Sequence, residues 1–100
     1  MRVIFTPAAE RQVEHLYRYI ADRASEQRAA DYVERIVAHC RGLANFPERG
    51  TRRDDILPGL RIVGFERRIT IAFLIEPGQV VIQGVLYGGR NYEVLLKDAQ

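Results

Sequence analysis

Apolar residues follow two different periods along this chain, and the change between them divides it. In the N-terminal half they recur at helical spacing, first as Ala9, Val13, Leu16, Tyr17, Ile20 and Ala24, then as Ala29, Tyr32, Val33, Ile36, Val37, Cys40, Leu43 and Ala44. Each set lines one face of a helix, and Arg11, Glu14, Arg18 and Asp22 take the other side of the first. The start of that helix is marked by Thr6 and Pro7: the hydroxyl can accept a free N–H of the first turn, and proline at the first helical position has no donor to waste. Ser25 is the expected cap of the second helix. Pro47 stops it, because proline disfavours helical geometry in the residue before it. So short a link between the helices predicts an antiparallel hairpin.

From Leu60 the period becomes two. Leu60 to Glu66, Arg68 to Glu76 and Gln79 to Tyr87 read as three strands, and Arg2 to Phe5 as a short one at the start. Between the last two strands, Glu-Pro-Gly-Gln is a turn: proline sets the first central φ and Gly78 accepts the positive φ that a type II turn needs. The stretch RGTRRDDILPG before the first of the three is expected to be a loop. Together these predict one α+β domain over residues 1–100: an N-terminal strand, an antiparallel helical hairpin, then a three-stranded antiparallel meander, with the helices on one sheet face.

Alternation assigns the faces. Ile69, Ile71, Phe73 and Ile75, with Val80, Ile82 and Leu86 and with Leu60 and Ile62, are expected to meet the helices. Arg61, Val63, Phe65, Arg68, Leu74, Val81, Val85 and Tyr87 then fall on the other face. The apolar strip Val63, Phe65, Leu74, Val81 and Val85 is larger than a lone monomer normally leaves bare, so it calls for a cover. Two covers are open: the C-terminal segment folding back through Tyr92, Val94, Leu95 and Leu96, and a partner chain.

Composition narrows the classes. No run approaches the roughly 18 apolar residues of a membrane helix, and MRVIFTPAAE lacks a secretory h-region, so a cytoplasmic location without membrane contact is expected. Cys40 is the one cysteine, and His15 and His39 are far apart, which points away from a disulfide and from a metal site; no cofactor is expected. The net charge is only +2, but Lys97 is the lone lysine and six arginines crowd the stretch from Arg49 to Arg68. Arginine suits planar, bidentate contacts with carboxylate or phosphate.

The ordered set TPAAE, FP followed by glycine, PGLR and a terminal VLYGGR resembles the ParE toxins of the RelE/ParE type II toxin–antitoxin superfamily, over essentially the whole chain. The resemblance implies a cytoplasmic bacterial toxin that inhibits DNA gyrase by binding, neutralised by a ParD-like antitoxin. That antitoxin would supply the cover for Val63, Phe65, Leu74, Val81 and Val85, and operator DNA would be reached only through it. RelE-like relatives instead cut messenger RNA on the ribosome, often with a C-terminal tyrosine. ParE sequences often have histidine where Tyr87 stands, a departure towards RelE.

Cleavage through the 2′-OH needs a base, an acid and cations for the phosphorane charge. Arg61 and Arg68 could supply charge and Tyr87 a proton, but no second proton-transfer group presents itself, since arginine stays protonated and both histidines fall on helices. Binding is therefore expected, with Arg61, Arg68, Tyr87 and Arg90 as target contacts and no catalytic residue. The alternative is an mRNA endonuclease using Arg61, Arg68 and Tyr87. Pairing of Arg61 with Asp54 or Asp55 is the plain structural role open to it, and Cys40 is expected to be a core residue.

Overall fold

The computed structural model describes residues 1–88 and Leu96. The elements run β1 (Arg2–Phe5), α1 (Pro7–Arg23), α2 (Glu26–Gly42), β2 (Thr51–Arg52), β3 (Arg61–Phe65), β4 (Ile69–Glu76) and β5 (Gln79–Tyr87). Both expected caps are present: Thr6 Oγ1 accepts the Ala9 N–H at 3.1 Å and Ser25 Oγ the Arg28 N–H at 3.1 Å. The two helices pack on one face of a five-stranded mixed sheet of order β1-β5-β4-β3-β2. β1 pairs parallel with β5 and the other neighbours are antiparallel. Gly78 takes a φ of 73° in the β4–β5 turn, as the sequence requires.

β2 is a correction to the expected loop. It joins Thr51 to Ile62 and Arg52 to Arg61, and it can do so because Gly50 presses on β3 where a Cβ would run into the Ile62 carbonyl.

The sheet has apolar residues on both faces. Against the helices lie Ile69, Ile71, Phe73, Val80, Ile82 and Val85, meeting Ala9, Leu16, Ile36, Cys40 and Leu43. Each such side chain, fully buried, stabilises the fold by about 1.5–3 kcal/mol in transfer free energy. On the other face Leu60, Ala72, Leu86 and Leu96 form a second buried cluster with Ile56, Leu57, Ile62 and Leu74 packed around it. Of the two covers left open, Leu96 provides the C-terminal one for this cluster, while Tyr92, Val94 and Leu95 lie outside the described residues.

The face assignment needs correcting at two places. Ile82 stands opposite Phe73 but Gly84 opposite Ala72, so Gln83 is an extra residue in β5. Such a bulge shifts the alternation by one. Val85 and Tyr87 therefore turn to the helices and Leu86 away from them. In β3 the pairs Ile62–Ala72, Val63–Ile71 and Phe65–Ile69 place Val63 and Phe65 on the helix side, and Leu60 and Ile62 on the other. Of the strip Val63, Phe65, Leu74, Val81 and Val85, only the cross-strand pair Leu74 and Val81 stays on the face away from the helices, and Val85 is buried.

Candidate functional site

Tyr87 ends β5 opposite Ile69, and the bulge aims it at the end of the hairpin where α1 stops and α2 begins. Its ring lies 5.8 Å from that of Tyr19 at an interplanar angle of 49°, a tilted pair within the favourable range of centroid distances. Arg23, one turn further along α1, lays its guanidinium 3.8 Å from the Tyr19 ring centroid. A cation over a tyrosine face at an exposed site contributes about 0.5–1 kcal/mol. From α2, Tyr32 joins the group, with Arg35 5.2 Å from its ring. Burial raises the Tyr32 phenol above its ordinary value and the Glu66 and Tyr87 charges add to this, while Arg35 and Arg68 oppose it.

The turn between β3 and β4 closes the cluster. Glu66 and Arg67 have φ of 48° and 66°, the left-handed region that costs a non-glycine residue roughly 1–2 kcal/mol. Four hydrogen bonds hold them there. Arg35 forks onto Glu66, Nε to Oε2 at 2.9 Å and Nη2 to Oε1 at 3.1 Å; the Arg68 N–H donates to the Glu66 carbonyl at 2.7 Å; and the Gly88 N–H donates to the Arg68 carbonyl at 2.8 Å. The Arg35 fork holds the Glu66 carboxyl below its usual range. Arg68 is thereby fixed beside Tyr87 and Tyr32, with its side chain exposed.

Arg61 is elsewhere. It opens β3 opposite Phe73 and beside Arg52, whereas Arg68 follows the far end of that strand. At about 3.3 Å per residue the strand alone separates those ends by roughly 13 Å. Nor does Arg61 pair with Asp54 or Asp55: Arg52 takes Asp54 at 2.8 Å and Arg53 takes Asp55 at 2.8 Å. Arg52 and the Gly59 N–H hold the Asp54 carboxyl below its ordinary value. Of the four expected contacts, then, the structure brings together Arg68 and Tyr87 and sets Arg61 apart; Arg90 lies outside the described residues.

His15 is exposed on α1. His39 is not the simple surface residue that its place on a helix suggests. It stacks on Phe65 at 4.7 Å, and its Nε2 is buried without a hydrogen-bond partner, as is Nε of Arg49. Burial first, then the Arg49 charge, depresses its pKa. Cys40 is buried and its thiol is pushed up to about 12 by burial, so it is a packing residue. Among the described residues no cluster of His, Cys, Asp and Glu is placed to hold a metal, and no helix is long and apolar enough to cross a membrane.

Tyr19, Arg23 and Arg35 were missed as site residues by sequence reasoning, and Glu66 was read only as the end of a strand. A signal existed: Tyr19–Arg23 at i,i+4 and Tyr32–Arg35 at i,i+3 each put an aromatic and a guanidinium on one helix face.

No curated protein matches this sequence. Among solved structures, the chromosomal ParDE toxin–antitoxin system from P. aeruginosa contains a similar fold, with a TM-score of 0.76 at 20% identity over 88% of this chain and 96% of that one. The family described as the ParE toxin of type II toxin–antitoxin systems, parDE, matches residues 3–92. With both helices, all but the first residue of the mixed sheet and the VLYGGR motif inside that span, the chain belongs to the ParE toxin family of type II toxin–antitoxin systems.

Proposed function

We propose that this ParE toxin arrests growth by binding DNA gyrase in the cytoplasm rather than by cutting RNA. A ParD-like antitoxin neutralises it and carries the complex to operator DNA. The observation that carries binding over cleavage is the dispersal of the candidate groups. Phosphoryl chemistry needs its cations and proton-transfer groups around one phosphate. Arg61 is a strand length from Arg68 and Tyr87, and Glu66, two residues before Arg68, is held by Arg35 below its usual range, which makes it a weak base. What remains at Tyr87 is a cluster of tyrosines and arginines, the composition of binding hot spots. Arg90 follows this cluster in sequence and is the fourth contact we assign.

For the antitoxin, Leu74 and Val81 are the part of the expected strip that supports a seat. They face one another across β4 and β5, half-buried, on the side away from the helices. A segment that folds on its partner can cover both this patch and the outer surface of the hairpin.

Induced expression, with supercoiling by purified gyrase measured alongside, tests the proposal. Arg68→Ala and Arg90→Ala should each weaken gyrase inhibition by about 1.5–3 kcal/mol, the range for a hydrogen bond to a charged group, while the fold is retained. Lysine at position 90 should recover only part, since it lacks the bidentate fork. Ribosome-dependent mRNA cleavage that disappears in Tyr87→Phe would overturn the binding mechanism in favour of the nuclease.

A further inference from the structure

The aromatic and cationic end of the molecule extends beyond the residues assigned above. Tyr19 is 40% exposed, one of the few large apolar side chains left so open, and its ring carries Arg23 on its face and Tyr87 beside it. Arg23, Arg67 and Arg68 are exposed and make no ion pair among the described residues. Glu66, next to Arg67 in the same turn, is already taken by Arg35. The surface therefore offers three guanidinium groups without an ion pair among the described residues: Arg23 on the Tyr19 ring, and Arg67 and Arg68 on the turn next to Tyr87 that the Arg35–Glu66 bridge holds in a strained conformation.

We propose that Tyr19, Arg23, Arg67, Arg68 and Tyr87 form one docking surface for an acidic segment of the toxin's target protein, with Tyr19 and Arg23 as contacts alongside Tyr87. This rests on the binding mechanism proposed above and adds to it both residues and partner chemistry. The arginines call for anions, and two features favour carboxylates of a protein over the phosphates of a nucleic acid strand. Bases stack on open aromatic faces, whereas the Tyr19 face is occupied by Arg23 and the two rings are tilted by 49°, with no parallel slot between them. A phosphodiester strand laid across the cluster would also pass the Glu66 carboxylate, which a protein segment can avoid by placing its acids over Arg23, Arg67 and Arg68. Tyrosine and arginine together are the residues enriched at the centres of protein interfaces.

The full chain, with side-chain resonances assigned, is titrated separately with a short Glu/Asp-rich peptide and with oligothymidylate. The peptide should shift the guanidinium Nε–H signals of Arg23 and Arg68 and the rings of Tyr19 and Tyr87, leaving Arg11 unmoved. Stronger binding of oligothymidylate at the same signals, or no shift from the peptide, overturns the proposal. In parallel, Tyr19→Ala/Arg23→Ala and an Arg11→Ala control are measured against purified gyrase and against the cognate antitoxin. The double variant should lose gyrase affinity by about tenfold or more, as hot-spot truncations do, and keep its antitoxin affinity and its circular dichroism spectrum. Loss of antitoxin binding alone would assign the surface to the antitoxin and overturn the proposal. If the parent chain binds no gyrase while the peptide still titrates the cluster, the target assignment fails and the surface stands. If the parent binds gyrase and the double variant binds equally well, the surface fails and the target stands.

Discussion

Gln12 does the work of a missing strand. β1 ends at Phe5 opposite Ile82, and one more bond, from the Thr6 N–H to the Ile82 carbonyl at 3.0 Å, completes the parallel ladder before the chain turns into α1. β5 continues for five residues to Tyr87 with no strand on that side among the described residues. The Val85 N–H points into this gap, and Gln12 Oε1, reaching down from α1, accepts it at 2.7 Å. Methionine at position 12 would keep the length and the helix propensity and remove the acceptor. The site is partly buried, so the unmet N–H should cost the lower part of the usual penalty, about 1–2 kcal/mol. For a domain of this size that corresponds to a fall in Tm of roughly 5–10 °C.

Urea unfolding of Gln12→Met should therefore show a lower midpoint with an unchanged slope, since the surface exposed on unfolding is the same. The Val85 amide should exchange faster with solvent, while amides in the β4–β5 ladder nearer Gln79 keep their protection. Gln12→Glu is the control, because a carboxylate oxygen still accepts the bond, and it should retain most of the stability. A Gln12→Met change within about 0.5 kcal/mol of the parent, as for an ordinary surface substitution, with Val85 still protected, would refute the role given to Gln12.

Two further outcomes follow from the buried titratable groups. Cys40, with its thiol pushed up to about 12, should resist alkylation by iodoacetamide at pH 8 in the folded protein and react only on unfolding; fast labelling under native conditions would contradict its place in the core. His39 is depressed in the fold, so the unfolded chain binds the extra proton, and stability should fall as pH drops below about 6.5 towards the lower folded value; His39→Phe should flatten that part of the profile, and an unchanged slope would show that His39 is not responsible.

The helical half of the chain was legible because its signals are local. Thr6, Pro7 and Ser25 act on the first turns they precede, and the stripes through Leu16 and Ile36 need no knowledge of the sheet. β5 and its turn were equally readable, since alternation and Gly78 mark both ends. The faces of β3 and β5 were not. A bulge such as Gln83 leaves no mark in an alternating sequence, because it exists only relative to β4. In β3, Ile62 competes with Val63 and Phe65 because both faces are covered, one by the helices and one by Ile56, Leu57 and Leu96. Val63, Phe65 and Val85 entered the inferred bare strip through those two errors, while Leu74 and Val81 do lie on that face. At the site, Arg68 and Tyr87 were visible as residue types at strand ends, while the distance of Arg61 from them depends on which end of β3 each occupies.

The same extra residue that defeated the alternation builds the site. Were β5 paired one for one with β4 and no bulge at Gln83, strict parity would continue beyond Ile82: Leu86 would face the helices and Tyr87 the opposite side, that of the Leu60 and Leu96 cluster. With it, Val85 takes the core position and Tyr87 lands against Tyr19 and near Tyr32, within reach of the turn that carries Arg68. The cost is local: the ladder is broken between Ala72 and Phe73, and a Cβ at Gly84 would stand 2.8 Å from Leu96 Cδ2, so that Leu96 would have to shift to admit one. Gln12 satisfies the Val85 N–H just beyond the break, and Arg35 restrains the strained turn opposite. Bulges are found where a side chain must be re-aimed. Here the side chain re-aimed is the one on which the docking surface is centred, and the supports from α1 and α2 come from the same two helices that contribute Tyr19, Arg23 and Tyr32.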